Sequence, residues 1–227
     1  GDLDLVVQQA STTAPIIRFE NEDGRLTATP IEFEQSAVLL LAMADMDGDG
    51  FDDLVVRTIV PERGVIIAFG SEAGTYDDRT QASLGTLSDS RVVDLVGDAR
   101  PEVTARAVDE LAIRVLGGDV RRELTDLASI PVGDGFDIAW TDDVDGDGDV
   151  DLVRRESESV VLIENLGDGS FARLPAVDGQ LVPVGETVAD VDGDGDPDVI
   201  TISFGVPSIT LNRTVDPACR TDLDGDG

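Results

Sequence analysis

Histidine and lysine are absent from this 227-residue chain, and cysteine, tryptophan and tyrosine occur once each. Without imidazole or amine, the usual general base, the Schiff-base nucleophile and the commonest nitrogen ligand for metals are all missing. The lone Cys219 cannot build a disulfide framework. No apolar run approaches the roughly 18 residues of a membrane-spanning helix. There is no initiating Met and no leader, but the chain opens inside a repeated motif, so it reads as a fragment.

Positive charge is also scarce. All 16 basic residues are arginine, set against 48 acids, for a formal net charge of −32. Nucleic acid and anionic membrane surfaces both demand a basic face, so neither nucleic-acid binding nor membrane insertion is expected.

The acids, by contrast, are ordered. Asp45–Asp53 reads DMDGDGFDD, Asp143–Asp151 reads DVDGDGDVD, and Asp190–Asp198 reads DVDGDGDPD. Numbered 1 to 9, each copy has acids at 1, 3, 5 and 9 and glycine at 4 and 6. Oxygen-rich loops of this kind suit a hard cation such as Ca²⁺, which takes about six to eight oxygen ligands. Glycine at 6 permits the positive φ that lets the chain coil around one point. The expected ligands in the first loop are Asp45, Asp47, Asp49 and Asp53, with the Phe51 carbonyl. The equivalent groups are Asp143, Asp145, Asp147, Asp149 (carbonyl) and Asp151, then Asp190, Asp192, Asp194, Asp196 (carbonyl) and Asp198. About three Ca²⁺ ions are therefore expected, which would bring −32 up by six, to −26.

An EF-hand is rejected by its own arithmetic, since its loop ends in Glu at position 12 and opens into a helix. Position 12 is Val56, Arg154 and Thr201 here, and short β-branched runs follow, so these are loops leading into strands.

The loops mark an internal repeat. A worn copy, Asp94–Glu102, keeps acids at 1, 5 and 9 but has Val96 at 3 and Ala99 at 6, so it is expected to be metal-free. Gly1–Val7 matches the end of a further copy whose first position would fall at −4. The first positions −4, 45, 94, 143 and 190 then differ by 49, 49, 49 and 47 residues. Some twenty residues before each loop lies a glycine turn: Gly24/Leu26, Gly74/Tyr76, Gly118/Val120 and Gly169/Phe171. Apolar β-rich runs precede these turns at 16–19, 65–69, 111–116 and 160–163. Further runs enter the loops at 38–43, 92–93, 138–140 and 188–189. Four strands in about 45 residues is the unit of a β-propeller blade. The fold class expected is all-β, a propeller of four-stranded blades with about four and a half repeats of roughly 49 residues.

The phrases ADMDGDGFDDLVV (44–56), VADVDGDGDPDVI (188–200) and ENLGDGSF (164–171) resemble the FG-GAP/VCBS repeat family. These repeats are shared by integrin α-subunit heads and large bacterial surface and secreted proteins. The resemblance covers the chain to about Arg213 and implies a propeller with calcium loops at blade edges. Closed rings of this family usually have about seven blades, more than this chain supplies. Residues 1–213 are accordingly assigned to the propeller repeats. Residues 214–227 read as a linker and the start of a truncated calcium-loop module, because CRTDLDGDG resembles the opening of a dockerin. Completion of one loop by Asp222–Gly227 together with Gly1–Asp4, across a ring closure, is the lesser alternative.

Few residues outside the loops carry chemistry. Adjacent acids such as Asp109-Glu110 read as solvated turn charges rather than a glycosidase pair. Arg121-Arg122 and Arg154-Arg155 could clamp an acidic sugar, but read better as surface ion-pair partners. Trp140 reads as core, and Asn212–Thr214 is a formal sequon. The expectation is a non-catalytic calcium-binding module of a secreted or surface protein, serving adhesion, recognition or spacing, with a protein or polysaccharide ligand. The alternative is the propeller portion of a carbohydrate-active enzyme such as a polysaccharide lyase.

Overall fold

The computed structural model describes residues 5–9, 11–60, 62–119, 121–132, 138–156, 159–174, 177–178, 185–189, 191, 193, 198–203 and 206–210. Among them all regular structure is β apart from one 3₁₀ turn at Val108–Glu110. Five antiparallel sheets follow one another along the chain. The first holds β1 (Leu5–Gln8), β2 (Ile16–Glu22) and β3 (Arg25–Ile31). The second holds β4 (Ala37–Ala44), β5 (Asp53–Val60), β6 (Gly64–Phe69) and β7 (Asp78–Ser83). The third holds β8 (Leu87–Val93), β9 (Glu102–Ala107), β10 (Ala112–Gly118) and β11 (Leu124–Pro131). The fourth holds β12 (Ile138–Asp142), β13 (Asp151–Glu156), β14 (Ser159–Asn165) and β15 (Phe171–Arg173), with β16 (Val177–Asp178) also pairing to β14. The fifth holds β17 (Gly185–Ala189), β18 (Asp198–Ser203) and β19 (Val206–Thr210).

The apolar runs all fall on strands, with one adjustment. Leu111 is not in β10 but adopts a left-handed conformation, φ 52°, at the end of the 3₁₀ turn. The strand that enters each loop pairs with the strand that leaves it: β4 with β5, β8 with β9, β12 with β13, β17 with β18. Each acidic loop therefore joins two neighbouring strands of one sheet. The sequence period, counted from the loop exit, is cut one strand out of phase with the sheets.

The chain divides into two units, 1–94 with 98–133, and 95–97 with 134–227. In the first unit β5 and β6 are buried on both faces. Val55, Val65, Ile67 and Phe69 pack with Val103, Ala105 and Leu116 of the third sheet. Val56 and Ile66 pack with Ile16 and Val38, backed by Val6 and Ile31 of the first sheet. A sheet covered on both sides needs continuous apolar stretches rather than alternation, which explains LVV in β5 and GVIIAF in β6. In the second unit Leu152, Val153, Val161 and Ile163 supply the same kind of buried centre.

Arg154 departs from its sequence expectation. It is fully buried, with 0% exposure, so it is not a surface ion-pair residue. The side chain of Trp140, the sequon at 212–214, Cys219 and the proposed module at 214–227 lie outside what is described.

Candidate metal centre

Loop 45–53 folds around its own carboxylates. Asp45 Oδ1 accepts from the N–H groups of Gly48 (2.8 Å) and Asp49 (3.1 Å), and its Oδ2 from Gly50 N–H (2.9 Å). Asp47 Oδ1 accepts from Asp49 N–H at 3.1 Å, and Asp49 Oδ1 from Phe51 N–H at 2.9 Å. Gly50 carries φ 89°, the left-handed turn that position 6 requires. Asp53, the first residue of β5, is fully buried and accepts Met46 N–H on Oδ2 and Gly70 N–H on Oδ1, both at 2.8 Å. The carboxylate at position 9 thus ties the loop to β5 and to the end of β6.

Loop 143–151 repeats this wiring. Asp143 accepts from Gly146 (2.9 Å) and Gly148 (3.0 Å), Asp145 Oδ1 from Asp147 N–H (3.2 Å), and Asp147 Oδ1 from Asp149 N–H (2.9 Å). Asp151 takes Val144 N–H at 2.9 Å and Asn165 N–H at 2.8 Å. Gly148 has φ 97°. The carboxylate of Asp149 lies against Gly167, where any Cβ would fall 2.3 Å from its Oδ2.

Both loops bring three carboxylates together. Ligand oxygens of Asp45, Asp47 and Asp49 lie within 4.8 Å of one another, as do those of Asp143, Asp145 and Asp151. Oxygen-only donors at this density fit a hard divalent cation. Of the third loop only Val191, Gly193 and Asp198 are described, with Asp198 opening β18 as Asp53 and Asp151 open theirs. Asp190, Asp192, Asp194 and Asp196 lie outside the described residues.

The worn loop keeps the same path without glycine at position 6. Ala99 takes φ 68° and donates its N–H to Asp94 Oδ2 at 3.0 Å. Asp98 Oδ1 accepts Arg100 N–H at 3.0 Å, and its other oxygen pairs with the Arg100 guanidinium. That pairing, a hydrogen bond first of all, holds the Asp98 carboxyl below the usual carboxylate range.

Electrostatics record the crowding. Burial pushes Asp53 up to about 6, against the pull of the Gly70 and Met46 N–H groups, with Asp47 and Asp49 adding to the rise. Asp151 is likewise raised to about 6, by burial first and then by Asp145 and Asp147, while Asn165 and Val144 N–H oppose.

Two residues that the loop pattern does not contain complete the sites. Glu164, on β14, lies within hydrogen-bonding reach of Asp145. Burial and the Asp145 charge raise its carboxyl above the ordinary value. Like charges so placed favour a proton or a cation between them. Arg122, in the turn between β10 and β11, lays its guanidinium on loop 45–53: Nε to Asp47 Oδ2 at 2.7 Å and Nη2 to Asp49 Oδ2 at 3.0 Å. Its Nη1 reaches Asp78 at 2.9 Å, and the group stacks 4.9 Å from the centre of the Phe69 ring. Its hydrogen bonds to Asp78 and then to Asp47 raise its pKa further, so it is permanently cationic. The pair Arg121-Arg122 was visible in the sequence, but not which acids it would meet.

This wiring is a property of a repeat, and the family match falls on it. Residues 143–201 match the FG-GAP-like repeat. The chain carries an FG-GAP-like repeat. The matched residues span loop 143–151, β13, β14 and the third acidic loop, while loop 45–53 lies outside them.

Solved structures of similar fold include a lectin from Agrocybe aegerita, described as recognising non-reducing terminal N-acetylglucosamine. The match has 19% identity and TM-score 0.65, covering 89% of this chain and 58% of that one. A functionally unknown protein from Desulfotomaculum acetoxidans matches at 14% identity and TM-score 0.56, over 92% and 65% of the two chains. This chain spans about three fifths of the length of these proteins. At such identity the likeness is one of fold. No curated protein matches the chain in sequence.

Proposed function

We propose that this chain is a non-catalytic, calcium-binding β-propeller repeat module of a secreted or surface protein, acting in adhesion or recognition. The observation that carries it is the convergence of three carboxylates in each of two loops built by the same hydrogen bonds, 98 residues apart (143 − 45). Asp45, Asp47 and Asp49, with Asp53 anchoring, are the protein's side of one site. Asp143, Asp145 and Asp151, joined by Glu164, are that of the other. The Phe51, Asp149 and Asp196 carbonyls and the loop at 190–198 extend the same ligand set. When bound, calcium cross-links and neutralises these groups, and the millimolar calcium outside cells suits such loops.

Recognition is supported by the fold shared with a sugar-binding lectin, although fold by itself does not give function. In the first unit an open cleft of about 420 Å³, lined by Arg18, Glu20, Phe51 and Tyr76 among others, offers aromatic and charged side chains to a polar ligand such as a glycan. Calorimetric titration of the metal-stripped protein tests the calcium reading. Uptake of more than one Ca²⁺, lost together with Asp143→Ala and Asp190→Ala, is expected. No heat at millimolar Ca²⁺ would refute it.

A further inference from the structure

The two described acidic loops share backbone wiring but differ in what faces their remaining oxygens. In loop 45–53 the backbone engages Oδ1 of Asp47 and of Asp49, and the Oδ2 atoms take a different partner. Arg122 holds both of those atoms. The strand register shows how. Leu54 pairs with Ala68, and Leu152 pairs with Ile163, so Phe69 and Glu164 are equivalent positions. Where the first loop presents an aromatic face on which a guanidinium stacks, the second presents another carboxylate.

We propose that Arg122 is the built-in cation of loop 45–53, occupying the oxygens a divalent ion would use, so that metal enters this loop only when Arg122 is displaced. This rests on the calcium reading of the preceding section and changes what it implies: loop 143–151 is a tight site, and loop 45–53 already holds a cation of its own. A guanidinium and a divalent ion cannot share the same two oxygens, and at contact distance their like charges repel. The fork of arginine suits the role, because it reaches three separate carboxylates at once, Asp47, Asp49 and Asp78, which a point charge cannot do. Asp47 is 4% exposed, so water screens its pairing weakly. The ring of Phe69 adds cation–π attraction on the other side.

The worn loop offers an independent parallel. There too an arginine, Arg100, pairs with the acid at position 5, Asp98, from two residues further along the same loop. Arginine reaches the position-5 acid of both loops from different places in the chain.

Calcium titration by calorimetry on the full chain tests this with Arg122→Gln, Arg122→Lys and Asp45→Ala. Arg122→Gln should add one tight site, or tighten one by at least about tenfold, and Asp45→Ala in that background should abolish the gain. Asp45→Ala alone should leave the tight sites of the wild type unchanged. Arg122→Lys keeps the charge without the fork and should fall between. It also serves should the glutamine variant fold poorly, which its thermal melt in EDTA reports. Calcium uptake indifferent to both Arg122 variants, or a tight site lost from the wild type with Asp45→Ala, would overturn the proposal. No uptake by any variant would instead sink the calcium reading on which it rests.

Discussion

At the residue scale, buried acids do opposite jobs with and without a cation. Asp53 and Asp151 sit at about 6 in the metal-free protein, against an ordinary value of 3.8. Between these values the folded state holds a proton that the unfolded chain has released. Metal-free stability therefore falls as pH rises from about 4 to about 6, on the order of 2 kcal/mol for each group. The melting temperature in EDTA should accordingly be higher at pH 5 than at pH 7, and Asp53→Asn should flatten that slope. Saturating calcium should reverse it, since calcium replaces the proton. A melt independent of pH in EDTA would count against the burial of both groups. Glu164 makes a second prediction. If it joins loop 143–151 through Asp145, Glu164→Gln should weaken calcium there severalfold in calorimetry while leaving the metal-free melt unchanged or raised.

At the scale of the element, the loop is a hydrogen-bonded frame that survives the loss of its ligands. The segment Asp94–Glu102 lacks the acid at position 3, yet Ala99 follows the path of Gly50 and Gly148. An alanine in the left-handed region costs roughly 1 kcal/mol, and glycine offsets part of that gain through the freer unfolded chain. Ala99→Gly should thus raise stability in urea unfolding by a few tenths of a kcal/mol and leave calcium uptake unchanged. Asp94→Ala should likewise leave the calcium stoichiometry as it was. The loss of one site would show that the worn loop binds metal after all. Glycine also matters where chains touch: a Cβ at Gly70 would lie 2.4 Å from the Asp52 carbonyl oxygen. Its N–H holds Asp53, so the end of β6 and the start of β5 are locked together at this point.

At the scale of the whole molecule, −32 of formal charge opposes compaction. Bound calcium offsets part of it, and each site occupied only in the folded state contributes RT ln(1 + [Ca]/Kd), roughly 2.7 kcal/mol at a hundredfold excess. Thermal melts should rank calcium well above EDTA, with magnesium near EDTA because it prefers a smaller octahedral shell and keeps its waters. Adding salt in EDTA should raise the midpoint by screening the acids. Equal midpoints in EDTA, Mg²⁺ and Ca²⁺ would mean that the loops do not hold the fold.

The strands, the acidic loops and their period are legible in the chain alone, because glycine, acid and β-branched spacing act within a few residues of one another. DMDGDGFDD prescribes its own hydrogen bonds, and β5 begins at Asp53 as the ninth position requires. Which strands share a sheet, and what faces each loop, depends on packing between distant segments. Loop entry and exit strands pair because β4 and β5 are neighbours in space, a register that the 49-residue count does not contain. Arg122 reaches Asp47 from 75 residues away, and Glu164 reaches Asp145 from the neighbouring strand. A long side chain on a turn is unremarkable in sequence. Packing of the third sheet on the second gives it three carboxylates to answer.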